Sequence, residues 1–337
     1  MKGVKVPLRE AEKAKEFLLN KGALDFNHEI IKEKEHLIYP INKEVKKYKP
    51  LEYKFPKKEI KENWKDFLNK KLDKKELKLL KTAHDVVGSI AILEIPDELE
   101  KKEKTIAKAL LEKNKTIKTV LKKAGEHGGV FRTQKLEWLA GEKTKETIHR
   151  ESNVNIKLNV EKVFFSARLA TERKRIIKQI KPGEKVMVMF SGCAPYVCIF
   201  AKNSKAKEIW GIELNPEANK YAVENVKLNK LNNIKLIEGD VKKEAKKIKE
   251  KFDRIAMPLP KSAEDFLPEA FMLAKKGTII HFYDFEHENE FDETKEKVRA
   301  ACKKADVKYK ILKFVKCGQY GPGKFRVCLD FEIIAGI

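Results

Sequence analysis

Residues 185–216, KVMVMFSGCAPYVCIFAKNSKAKEIWGIELNP, constrain the fold more than any other stretch. Residues 186–190 form an unbroken apolar run, as expected of a strand buried on both faces of a parallel sheet. The run stops at Ser191-Gly192, where small residues let backbone N–H groups approach a ligand and the next helix aims its positive end at the same spot. Residues 207–212 read as a second buried strand, ending in Glu213. A carboxylate about twenty residues beyond a glycine turn, at the tip of the next strand, is placed to hold both hydroxyls of a ribose.

The turn also narrows the ligand. Gly192 is followed by Cys193-Ala194-Pro195 and not by a second glycine, a poor pattern for a pyrophosphate cradle. A dinucleotide is therefore disfavoured. S-adenosylmethionine, with a ribose and an amino-acid tail but no phosphate, fits better. Residues 234–238 form a third short strand ending in Gly239-Asp240, whose acid is placed to accept from an adenine amino group. The competing reading is that Glu213 and Asp240 cap the helices that follow.

Further strands are expected at 252–257, 278–283, 307–315 and 325–334, so residues 163–337 form a doubly wound parallel sheet. The segment Met257-Pro258-Leu259-Pro260-Lys261 ends the fourth strand, and its two prolines either hold a loop open where ligands bind such sheets or simply end the strand. Upstream, residues 1–45 read as a small unit with a strand at 5–7, a helix at 10–20 and a strand pair within 30–41. Its basic helix is either an auxiliary grip on RNA or a packing appendage. Residues 42–57 are charged and proline-punctuated, a linker. Residues 58–162 make an α+β unit with a helix at 59–69, a long strand at 85–95, a helix from 96 to 113, and strands at 116–121 and 153–160.

Charge points to a partner. The 337-residue chain carries a formal net charge of +23, which suits a polyanion, although lysine spread over a surface also serves solubility. Five of its arginines, Arg132, Arg150, Arg168, Arg173 and Arg175, fall between residues 132 and 175. Where lysine is the default, arginine marks a need for a planar donor fork, so the active-site face is expected there. No apolar run reaches membrane-spanning length, and the start of the chain leads into charged residues, so a cytoplasmic protein is expected. Five cysteines without CxxC spacing disfavour a metal site and a disulfide framework. His149 reads as a surface or hydrogen-bonded core residue, and Phe164-Phe165 as core or as a flank for a flat ligand.

Six motifs together carry a resemblance: LEWLAGE (136–142), TIHRE (147–151), VFFSARLATER (163–173), the MFSG turn (189–192), IELNPEA (212–218) and PLPK (258–261). The chain resembles the archaeal and eukaryotic tRNA (guanine-37, N1)-methyltransferases and their wybutosine-pathway relatives, over about residues 80–337, with a small N-terminal domain like that of archaeal members. The resemblance implies a class I, Rossmann-like S-adenosylmethionine-dependent methyltransferase domain, preceded by an α+β RNA-binding domain and a small domain that reaches the tRNA. A monomer is expected. Arg132 would hold the guanine O6 and Glu172 would act as general base. Cofactor contacts map onto Phe165, Arg168, Phe190, Glu213 and Asp240, with Gly192, Leu214, Val241 and Pro258 beside them. Arg132, Arg150, Arg173, Pro260 and Lys261 would face the RNA.

The chemistry asks for such groups. Guanine N1 carries a proton, so methylation needs a base, and negative charge builds on O6. A carboxylate serves as that base only if burial keeps its proton affinity high enough; otherwise Glu172 is a helix N-terminal acid favoured by the dipole. Two positions depart from the family pattern: Val188 stands where an acid is usual, and Pro258 where an asparagine is usual. Ala194 likewise replaces the glycine of a Gly-Pro step. Three functions stay open: methyl transfer to guanosine 37, a wybutosine-pathway reaction on the modified base (methyl or aminocarboxypropyl transfer), and tRNA binding without catalysis.

Overall fold

Alternating lysine and valine in residues 2–7 dictates a half-buried strand, and the first unit of the chain is built on it. The computed structural model describes residues 1–58, 64–259 and 261–336, grouped into two units, Met1–Asn63 and Trp64–Ile337. In the first unit, β1 (Lys2–Pro7) turns Val4 and Val6 inward against Ala14 and Leu18 of α1 (Ala11–Asn20). β2 (Ile31–Lys32), β3 (His36–Pro40) and β4 (Leu51–Glu52) complete an antiparallel sheet in the order β2-β3-β1-β4. The expected strand pair within 30–41 is β2 and β3. The expected linker is corrected: Glu52 pairs with Lys2, and the ring of Phe55 is buried over Gly3. A two-residue strand shows no period from which it could be read.

The second unit begins with α2 (Trp64–Leu68) and α3 (Lys74–Leu79), the latter closed by a capping box between Asp73 and Glu76. The first part of the helix expected at 59–69 lies outside the described residues. The long strand expected at 85–95 is instead two antiparallel strands, β5 (Asp85–Val87) and β6 (Ile90–Leu93). Gly88, at φ 55°, reverses the chain, a conformation glycine adopts at little cost. α4 (Glu103–Lys113) buries Ile106, Ala107 and Leu110 on a sheet of order β5-β6-β7-β8, completed by β7 (Thr119–Lys123) and β8 (Leu136–Gly141).

β9 (Glu146–Glu151) and β10 (Val154–Asn159) form a separate hairpin. Thr147 Oγ1 accepts the Ser89 N–H at 3.0 Å, which seats the β5–β6 turn on β9. The outer edge of β10 is covered by side chains: Asn225 and Asn229 each accept from one backbone N–H of β10 and donate to the carbonyl of the same residue, Lys157 and Asn155 respectively, at 2.7–2.9 Å. Two carboxamides thus stand in for a neighbouring strand.

α5 (Ala170–Ile177) leads into the large sheet. Its elements follow in chain order: β11 (Lys185–Met189), α6 (Pro195–Asn203), β12 (Glu208–Glu213), α7 (Pro216–Leu228), β13 (Ile234–Glu238), α8 (Val241–Glu244), β14 (Phe252–Met257), α9 (Leu267–Leu273), β15 (Ala274–His287), α10 (Phe291–Lys304), β16 (Lys308–Gly321) and β17 (Lys324–Ala335). The order is β13-β12-β11-β14-β15-β17-β16. The first five strands are parallel, as the alternation predicts. The last two are not: a tight turn at residues 321–324 joins β16 to β17, and β17 enters antiparallel beside β15. Apolar side chains cover both faces, with Val186 and Val188 toward α6 and α7, and Met187, Met189 and Trp210 toward α8 and α9. Among the described residues no helix is long and apolar enough to cross a membrane.

A methyl group at Gly88 would overlap Thr147 Oγ1 and the Ile148 carbonyl while forcing alanine to φ 55°. Gly88→Ala is therefore expected to destabilise the fold by roughly 1–3 kcal/mol; a melting temperature unchanged from wild type would refute this role for the turn.

Candidate active site

The site is built where strand order reverses, at the C-terminal ends of β11 and β14. Beyond Met189 the chain passes through Phe190, Gly192 and Ala194 at φ 63°, 59° and 65° before Pro195 starts α6. Two of the three are not glycine, and such backbone costs about 1–3 kcal/mol each when held in place. What holds it is Glu213 at the tip of β12, whose Oε2 accepts the Gly192 N–H at 2.6 Å and whose Oε1 accepts the Asn215 N–H at 2.8 Å. Burial raises the proton affinity of Glu213, and those two N–H groups oppose the rise. Glu213 does not cap a helix; Asn215 caps α7 instead. Asp240 does cap α8, accepting the Lys242 N–H at 2.9 Å, so the capping reading of that acid describes its geometry.

These residues surround a cavity of about 180 Å³. Phe190, Gly192, Glu213, Leu214, Asp240, Val241 and Pro258 line it, and so do Phe165 and Arg173. Phe190 is braced edge-on by Phe266, with ring centroids 4.8 Å apart. Ser191 Oγ, also on the wall, is buried with no hydrogen-bond partner among the described residues. Val130, Phe131 and Arg132 close the rim from a loop of the middle region. Flat apolar walls, two carboxylates at strand ends and an unanswered hydroxyl suit a nucleoside-bearing ligand without phosphate.

The predicted residues divide. Arg132, itself at φ 52°, donates from Nη2 to the Lys261 carbonyl at 2.6 Å, so the rim loop is tied to the segment after β14 through backbone and not through the Lys261 ammonium. Burial lowers the proton affinity of Arg132, and Arg326 adds to the effect. Arg168 is not on the cavity wall: its side chain is 64% exposed and pairs with Asp85 at 2.7 Å. Arg150 is exposed on β9 and also absent from the wall. Arg173 lines the cavity, yet its guanidinium is buried and engaged by Glu151, with Nε to Oε1 at 2.7 Å and Nη2 to Oε2 at 2.5 Å. It also lies over the rings of Phe165 and Tyr196. Arg173 thus carries a structural bond across the site that arginine counting could not distinguish from a phosphate contact. Pro260 lies outside the described residues.

Glu172 is 3% exposed, is not among the residues that line the cavity, and sits in a charged network. Arg175 donates to both its oxygens, at 2.8 and 2.7 Å, and Tyr283 Oη donates to Oε1 at 2.7 Å. Arg175 also grips Asp330 on β17. Burial alone would raise the proton affinity of Glu172, but Arg175 and Tyr283 outweigh it and the carboxyl titrates below its ordinary range. The condition stated for a basic carboxylate is thus met by burial and undone by its partners. Asp330 further accepts from His281 Nδ1 at 2.6 Å, while His281 Nε2 lies 2.9 Å from the Arg254 guanidinium. Arginine can only donate, so Nε2 accepts, Nδ1 carries the proton and His281 is neutral, in keeping with the lowering that burial imposes. Tyr283, His281 and Asp330 were absent from the sequence reading: they lie on β15 and β17, more than 100 residues from Glu172, with no local pattern to mark them.

The chain matches three family models: the TRM5/TYW2 methyltransferase domain over residues 147–312, the TYW2 N-terminal domain over 64–144 and the tRNA methyltransferase 5 N-terminal domain over 3–49. It is 38% identical over 332 residues to tRNA (guanine(37)-N(1))-methyltransferase Trm5b of Pyrococcus abyssi, covering 98% of each chain. The crystal structure of that protein superposes with a TM-score of 0.76, at 37% identity, covering 99% of this chain and 100% of the other. A complex of aTrm5 with tRNALeu superposes at 0.72, with 30% identity and 99% of both chains covered. Pyrococcus horikoshii TYW2 in complex with MeSAdo superposes at 0.69, with 30% identity, over 82% of this chain and 99% of the other.

The network makes a statement about acid stability. Neutral His281 has its proton affinity depressed in the fold, so below its unfolded pKa of about 6.5 the unfolded chain takes up a proton that the folded chain refuses. Asp330 is depressed too: burial would raise it, but His281 and Arg175 prevail, so its contribution is present above its unfolded pKa of about 3.9 and is lost as pH falls further. Thermal stability is expected to be level near pH 7–8, to decline from about pH 6.5 downward, and to decline more steeply below about pH 4. For His281→Asn the decline between about pH 6.5 and 4.5 should be shallower; an identical profile would exclude His281 as its cause.

Proposed function

The chain belongs to the TRM5/TYW2 methyltransferase family, and from that premise we propose that it transfers the methyl group of S-adenosylmethionine to N1 of guanosine 37 in the tRNA anticodon loop. The observation that carries this reading is one cavity shared by the Arg132 rim loop and the Glu213–Asp240 strand ends. Arg132 is the donor that neutral guanine chemistry requires at O6, and the strand ends are where the cofactor belongs. Whole-length likeness to the Trm5b enzyme supports the substrate.

S-adenosylmethionine, when bound, supplies an electrophilic methyl group on a sulfonium centre. Glu213 and Asp240 are assigned to its ribose and adenine, Phe190, Leu214 and Val241 to the faces of its base, and Ser191 Oγ to a polar group of the ligand. Arg132 stabilises the charge that develops on guanine O6. Its rigid planar fork is held at the rim by the Lys261 carbonyl, so little reorganisation is needed as the charge forms. Glu172 receives the N1 proton. It is ionised at neutral pH but held by Arg175 and Tyr283, so it becomes basic only as an incoming guanine displaces a donor. Arg173 positions Phe165 and α5 and does not touch the RNA. Lysines across both units supply the nonspecific hold on the phosphate backbone. We read the enzyme as a cytoplasmic monomer.

A second reading has one observation in its favour. Val188 is fully buried among apolar side chains, so the first strand presents no acid to the methionine amino group. The resemblance implies that relatives transferring the aminocarboxypropyl arm bind the same cofactor in a turned pose, in keeping with the missing acid.

A single test separates the readings: single-turnover incubation with S-adenosylmethionine and transcripts bearing guanosine or adenosine at position 37, followed by mass analysis of the nucleosides. One methyl on guanosine, with the adenosine transcript unmodified, is expected; a larger adduct, or cofactor binding with no product, overturns the proposal. In the same assay Glu172→Gln is expected to lower the rate roughly 10²-fold or more while leaving cofactor affinity intact.

A further inference from the structure

The β16–β17 hairpin holds a group of side chains that the reaction as described does not use. Arg326 on β17 lies with its guanidinium 5.1 Å from the centre of the Phe285 ring, and that ring is 4.4 Å from the ring of Tyr320. Tyr320 itself is 60% exposed. Among the described residues the Arg326 guanidinium has no ion pair and no hydrogen bond, and its Nε is fully buried. A half-buried cation with no acceptor is costly, and proteins seldom leave one without a partner.

The same hairpin borders the active site: β16 packs on residues 167–169, and Leu169 lines the cavity. After burial, Arg326 is the largest influence lowering the proton affinity of Arg132, and the Tyr320 phenol acts on Arg132 in the opposite sense. Arg132 has the Lys261 carbonyl as its acceptor, and no carboxylate pairs with either arginine among the described residues. Arg326 therefore has no acceptor of its own among the described residues. What is missing is an anion for Arg326, and the exposed Tyr320 ring packs on the Phe285 ring that Arg326 covers.

We propose that Arg326, Phe285 and Tyr320 form a nucleotide-binding ledge on the β16–β17 hairpin. Arg326 takes a phosphodiester of the anticodon loop, and Tyr320, backed by Phe285, stacks the unpaired base attached to that phosphate. The inference rests on tRNA being the substrate. It differs from the nonspecific lysine contacts because it joins a bidentate phosphate contact to a stacked base, the combination that fixes a single-stranded segment in register. A target base that leaves its stack needs its neighbours held, and the ledge would supply that hold on one side.

The test uses the full-length protein with an unmodified transcript bearing guanosine 37. Tyr320→Ala is expected to weaken tRNA binding by about ten-fold, the scale of one lost base–aromatic stack, and Tyr320→Phe to restore it. Arg326→Gln is expected to reduce the slope of log affinity against log salt by about one. S-adenosylmethionine affinity, measured without RNA, should match wild type in all three variants, which also shows that they fold. Wild-type affinity for tRNA in Tyr320→Ala would overturn the ledge. So would a loss of cofactor affinity in Arg326→Gln, since the anion would then be the cofactor carboxylate. Failure of the wild-type protein to methylate the transcript would instead count against the parent reading of the substrate.

Discussion

The site depends on a buried clamp made by one short helix. α5 presents Arg173 to Glu151 on the β9–β10 hairpin and Glu172 and Arg175 to Tyr283 and Asp330 on the central sheet. A guanidinium taken from water needs its fork matched by carboxylate oxygens, and both arginines have that match. Breaking either pair would leave a charge buried without a partner, typically a loss of about 3–5 kcal/mol. The clamp therefore fixes α5, the Phe165 segment before it and the hairpin against one frame, and the cavity is the space this frame leaves open.

A second constraint acts at the strand tips. Glu213 binds the backbone of the turn after β11 and holds Phe190 and Ala194 in left-handed conformations. One carboxylate thus organises the turn, lines the cavity and keeps an elevated proton affinity. Asp240 combines cap and wall in a similar way. The same residues serve fold and site together, so a choice between cap and ligand contact, posed from sequence, was too narrow for Asp240.

Legibility followed the range of the interaction. The five parallel strands were visible as short apolar runs, because burial on both faces leaves a local mark, and Gly192, Glu213 and Asp240 were visible by their spacing from those runs. The Gly88 reversal was hidden inside a longer apolar stretch, and β8 and β9 were read as motifs and not as strands. The arginine cluster did mark the site region, but Glu151, which engages Arg173, lies 22 residues away and Asp330, which joins Glu172 on Arg175, lies 155 residues away, so sequence could not separate buried clamps from RNA contacts. The Arg326–Phe285–Tyr320 group assembles from three points of the C-terminal strands and left no motif.

In the proposed reaction Glu172 is the base, and Arg175 holds it ionised until guanine arrives. The measurement is the single-turnover methylation rate at subsaturating tRNA, which reports the free enzyme, as a function of pH for wild type and for Arg175→Gln, with cofactor affinity measured alongside as a check on folding. The account predicts that the wild-type rate keeps its plateau to pH values below the ordinary glutamate range, and that Arg175→Gln moves the acid limb to higher pH, since burial then acts on Glu172 with less opposition. An acid limb at the same pH in both proteins would contradict it.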